Sequence, residues 1–176
     1  MLPMSPMSRY ALLAAGLALA ATASVANSKV PAHSVSCPSI SILGDATRVT
    51  VLDEGRIDLK AEIRTPSLGC TVAGSTARSK LSFWVKSAIA PKAPNGARSL
   101  PYFVAIISNG QVIAKEVFSL KLAFTETEHS LLVKENVARI DIPIASGKEA
   151  EDYSVPIGFQ LTPEQAAYNR TAPAAN

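Results

Sequence analysis

The sequence predicts an all-β fold, an immunoglobulin-like β-sandwich of about eight strands with a short C-terminal helix. Three observations predict it. From Ser39 onward, apolar and polar residues alternate with period two in short runs separated by turn residues, as strands with one buried face do. Helical periodicity is almost absent until the C-terminal end. Two cysteines, Cys37 and Cys70, flank the first strands and suit a structural disulfide in an oxidising compartment.

Before the alternation begins, the chain reads as an export leader. Arg9 precedes an uncharged run, Tyr10 to Ala21, of the length of a signal-peptide core and too short for a membrane-spanning helix. Small residues then give a cleavage site after Ala26, with Ala23 as the second choice. The expected organisation is a signal peptide at 1–26, a linker at 27–38, a sandwich domain at 39–170 and a flexible tail at 171–176. A periplasmic or secreted address follows. No later segment is apolar enough to form a transmembrane helix.

The strands are justified in order. Ser39 to Leu43 and Thr47 to Leu52 open the domain. Ile57, Leu59, Ala61 and Ile63 share one face of the next strand, and Asp58, Lys60, Glu62 and Arg64 share the other. Cys70 to Ala73, Lys80 to Ile89, Tyr102 to Ile107, Val112 to Phe124 and Ala138 to Ile144 follow. Asn109-Gly110 predicts a hairpin, because both residues tolerate positive φ. Tyr102 to Ile107 is apolar on both faces and reads as a central strand. Ala90 to Ser99 reads as a loop, Thr125 to Ser130 as a turn and Gly147 to Asp152 as a second loop. Val155, Ile157, Phe159 and Leu161 form the last strand, which Pro156 assigns to an edge or a bulge. Thr162-Pro163-Glu164-Gln165 is a capping box that starts a helix through Tyr168.

Charge and chemistry narrow the function classes. The chain has 17 Lys and Arg, Arg9 among them, against 14 Asp and Glu, so the mature part is near neutral. Its cations are spread along the sequence without the clustered stripe that nucleic acid requires. His33 and His129 lack the partners of a hydrolytic triad, and no Gly-x-Ser-x-Gly elbow is present. Asp53-Glu54 and Glu149, Glu151 and Asp152 read as solvated turns rather than a glycosidase pair or a calcium loop. No catalytic residue, metal site or cofactor is assigned.

The residues Gly158-Phe159-Gln160-Leu161-Thr162-Pro163-Glu164-Gln165, followed by Tyr168-Asn169-Arg170, resemble the end signature of an uncharacterised family of small proteobacterial envelope proteins and lipoproteins. Cys37-Pro38, Ala61-Glu62-Ile63 and Leu100-Pro101-Tyr102-Phe103-Val104-Ala105 agree with that likeness. The resemblance implies a cell-envelope role and supports pairing Cys37 with Cys70. Members of that family often carry a lipobox cysteine, which this sequence lacks, so lipid anchoring at Cys37 is not expected. The expected function is a non-catalytic structural or protein-interaction module for another envelope protein or the cell wall. The candidate surface is Trp84, Tyr102, Gln160, Tyr168, Asn169 and Arg170. The alternatives are a small-molecule or glycan-binding domain that uses Trp84, Tyr102 and the loop Pro91 to Ser99, and behind it an uncharacterised hydrolase.

Overall fold

A computed structural model describes residues 36–171. The expected leader, His33 and most of the linker lie outside those residues, as do residues 172–176 of the expected tail. The chain enters through β1 (Ser39–Ile42), a 3₁₀ turn at Gly44–Ala46 and β2 (Arg48–Asp53). Then come β3 (Arg56–Ala73), β4 (Thr76–Ile89), β5 (Gly96–Ser108), β6 (Gln111–Phe124) and β7 (Ser130–Pro143). A second 3₁₀ turn at Ala150–Asp152 leads to β8 (Tyr153–Phe159) and to α1 (Pro163–Thr171).

These strands form two four-stranded sheets, in the orders β1-β8-β5-β6 and β2-β3-β4-β7. The all-β sandwich with one short C-terminal helix that the alternation predicts is therefore the observed fold. Its main core is a cluster built from both inner faces. Leu59, Ala61 and Ile63 of β3 and Leu81, Phe83 and Val85 of β4 meet Leu100, Tyr102 and Val104 of β5 and Val155, Ile157 and Phe159 of β8. Burying each large apolar side chain contributes about 1.5–3 kcal/mol. On the outer side of β5, Phe103 and Ala105 pack with Ala46 and Leu161 in a second, smaller cluster. Tyr102 to Ile107 is thus a central strand covered on both faces, as its two-sided apolar pattern implies.

Several boundaries differ from the sequence reading, each for a local reason. The runs Ile57 to Arg64 and Cys70 to Ala73 belong to one strand, because Thr65 takes φ +48° and the ladder shifts register between Arg64 and Ser67 without ending. Ile57 is exposed and Asp58 is buried, the reverse of the predicted alternation at that end of β3. The cause is a bidentate pair: Arg98 of β5 donates from Nε at 2.9 Å and from Nη2 at 3.1 Å to the Asp58 carboxylate. Arg98 also donates to the Pro94 carbonyl at 2.9 Å, which folds the 90–95 loop over Asp58. The loop is shorter than expected because β5 begins at Gly96.

The last strand is not at an edge. β8 lies between β1, which runs parallel to it, and β5, which runs antiparallel. Pro156 is accommodated by an interruption: pairing with β5 stops after Ile157 and resumes at Ser154. A proline has no N–H to donate there. The hairpin at Asn109-Gly110 forms with both residues at positive φ, 52° and 73°. The capping box of α1 also forms. Thr162 Oγ1 accepts the Gln165 N–H at 3.2 Å, and Gln165 Oε1 accepts the Thr162 N–H at 2.9 Å. The helix continues past Tyr168 to Thr171. The Cys37–Cys70 disulfide, with Cα atoms 5.6 Å apart, ties the approach to β1 in one sheet to β3 in the other.

Candidate functional site

Alternation along β4 decides which side chains leave the core. Leu81, Phe83 and Val85 are buried, so Ser82, Trp84 and Lys86 point outward from the β2-β3-β4-β7 sheet. Register then fixes their neighbours. Trp84 is flanked by Arg64 of β3 and Lys134 of β7, and Lys86 by Glu62 and Leu132. Further along the same face, Lys80 pairs with Gly69, and Arg78 lies between Thr71 and Asp141. Lys60, opposite Ala88, completes the other end.

Trp84 keeps 38% of its surface exposed and Leu132 keeps 62%. The Lys134 Nζ stands 6.0 Å from the Trp84 ring centroid, within range of a cation–π contact. Among the described residues, the carboxylates of β3, β4 and β7 on this face, Glu62 and Asp141, are engaged. Glu62 takes Arg64 at 2.8 Å, and Asp141 takes Arg139 at 2.6 Å and Arg78 at 3.5 Å. The Arg139 hydrogen bond holds the Asp141 carboxyl below its ordinary range and raises Arg139 in turn. Lys60, Lys80, Lys86 and Lys134 form no ion pair among the described residues.

The other members of the predicted surface do not join Trp84. Tyr102 belongs to the core, only 1% exposed, because Leu100, Tyr102, Val104 and Ile106 share the inner face of β5. Its ring meets Phe83 edge-on at 5.2 Å and stacks on Phe118 at 5.3 Å. Its hydroxyl donates to Glu135 Oε1 of β7 at 2.9 Å. Burial first, then that hydrogen bond, pushes the Tyr102 pKa well above its ordinary value.

Gln160 is half-buried beyond β8, where its N–H donates to the Pro101 carbonyl at 2.9 Å. Tyr168, Asn169 and Arg170 lie on α1, and Asn169 has a fixed task. Its Nδ2 donates to the carbonyls of Asp45 at 2.9 Å and Arg48 at 2.7 Å, pinning the helix against the first 3₁₀ turn and β2.

Two clefts lie elsewhere among the described residues. One, of about 430 Å³, lies between the β2–β3 turn and the loop Ala90 to Pro94. The other, of about 580 Å³, lies between the inner face of β5 and β6 and the edge of β7, lined by Val104, Ile106, Glu116, Phe118 and Ile140. Trp84 and Tyr102 line neither, so the loop and the two aromatics of the predicted glycan site are separate.

Sequence reasoning missed the clustering of cations. The signal was present as Lys60, Arg64, Arg78, Lys80 and Lys86 at even spacing, which places them on one side of their strands. What makes a surface of them is that β3, β4 and β7 are neighbours, and that is a fact of topology. No family model, curated protein or solved structure matches the chain.

Proposed function

We propose that the protein is an exported, non-catalytic β-sandwich of the bacterial cell envelope that works as an interaction module, with the outer face around Trp84 as its contact surface. The observation that carries this reading is an exposed tryptophan set between Arg64 and Lys134 on an open sheet face. Exposed aromatic and basic side chains together are the usual anchors of recognition surfaces. The Cys37–Cys70 disulfide supports an oxidising compartment. No helix among the described residues is long and apolar enough to cross a membrane. Membership of the envelope family that Gly158 to Gln165 resembles is part of the same proposal.

The test is a photo-crosslinking residue in place of Trp84 in the full chain, expressed in bacterial cells. A reproducible adduct with an envelope component is expected at position 84 and not at Lys121, which lies on the outer face of the other sheet. Absence of any such adduct, or a chain retained in the cytosol with two free thiols, would remove the proposal. A second reading, small-molecule or glycan binding, is favoured by the cleft beneath the loop Ala90 to Pro94. A thermal-shift screen with oligosaccharides, in which Lys92→Ala abolishes any stabilisation, would select it.

A further inference from the structure

We infer that the partner of the Trp84 face is the surface of a lipid bilayer containing anionic phospholipid. This rests on the interaction module proposed above and names what the module docks on. Six cations, Lys60, Arg64, Arg78, Lys80, Lys86 and Lys134, occupy the face across three adjacent strands. Its carboxylates among the described residues, Glu62 and Asp141, are already paired with arginines. Of the other exposed acids, Glu126 and Glu128 lie before β7, Glu149, Glu151 and Asp152 before β8, Asp53 and Glu54 at the β2–β3 turn at the end of this sheet, and Asp45, Glu116 and Glu164 on other elements. A chain with a formal net charge of +3 therefore gathers cations on one sheet face.

The exposed Trp84 and Leu132 among these cations choose among polyanions. Strands about 4.8 Å apart and residues rising about 3.3 Å each spread these charges over roughly 10 by 33 Å. They lie across three strands of one open sheet face, which a plane of headgroups can meet. Trp84 stands within the array, with Leu132 beside Lys86, and both are exposed. Tryptophan is favoured at the membrane–water interface, and cations near an anionic leaflet each add attraction there. Lys60, Lys80, Lys86 and Lys134, free of ion pairs among the described residues, are available to headgroup phosphates.

The test is flotation of the full, disulfide-intact chain with vesicles of phosphatidylcholine alone and with about 30% phosphatidylglycerol. Binding is expected only to the anionic vesicles, with a blue shift in the emission of Trp84, the one tryptophan of the chain. Raising salt from about 0.05 to about 0.5 M should weaken binding about tenfold or more. The double variant Lys86→Glu/Lys134→Glu, whose side chains are exposed and whose fold circular dichroism would check, should lose about tenfold or more, and Lys121→Glu should lose little. Equal binding to neutral vesicles, or tighter binding to DNA than to anionic vesicles, would overturn the inference. So would no vesicle binding together with a protein adduct at position 84, an outcome that leaves the interaction module standing.

Discussion

A β-carbon built on Gly158 would lie 2.6 Å from the Ala46 Cβ and 3.1 Å from the Phe103 ring. The first 3₁₀ turn packs directly on β8 there, so Gly158→Ala should cost about 1–3 kcal/mol, read as a lower denaturant midpoint with an unchanged slope. Tyr102 carries a pH signature. Its phenol is held protonated in the core, with its pKa raised by burial and by the Glu135 bond. An unfolded chain releases that proton near about pH 10 while the folded chain keeps it, so stability from this group is present below about pH 10 and lost as pH rises beyond it. Tyr102→Phe should remove that alkaline limb in melts between about pH 8 and about pH 11. At neutral pH the same change should cost about 1–2 kcal/mol, because Glu135 loses its donor. The outward aim of Trp84 was legible from the buried Leu81, Phe83 and Val85 beside it. Tyr102 was not, since a tyrosine in a strand apolar on both faces reads equally well as surface or core.

Between elements, the Asp58–Arg98 pair joins β3 of one sheet to β5 of the other, with side chains 10% and 21% exposed. Arg98→Ala leaves a buried carboxylate without its partner and should cost about 3 kcal/mol, with faster amide exchange in the 90–95 loop. Adding Asp58→Ala should recover part of that loss, which a double-mutant cycle would measure. Most strands were legible because period-two patterning needs only local sequence. The hairpin and the capping box were legible for the same reason, each being a few residues with one preferred geometry. Pairing is a different matter. Pro156 argued for an edge or a bulge; the ladder to β5 is interrupted beside it while β1 covers β8, and nothing in Ser39 to Ile42 announces that it runs beside Ser154 to Ile157. The cationic face escaped the sequence reading likewise, because charges far apart in sequence, Arg64 and Lys134 on either side of Trp84 among them, share a face only through the order of strands.

For the whole molecule, the disulfide and the strand order decide stability together. Cys37 and Cys70 are separated by 33 residues, so reduction should cost about 3–4 kcal/mol in the chain-entropy model, seen as a lower melting temperature with a reductant that Cys37→Ser/Cys70→Ser reproduces. The interior place of β8 has a consequence in time. During synthesis the β2-β3-β4 meander can assemble from neighbours in sequence, and so can the β5–β6 hairpin. One edge of β5 stays open until Tyr153 to Phe159 has left the ribosome, because β8 is the strand that pairs with it there among the described residues. A chain cut short before Tyr153 would therefore present a long apolar strand edge to its neighbours, the template on which copies join into aggregates. Quality control of this protein falls on its final strand.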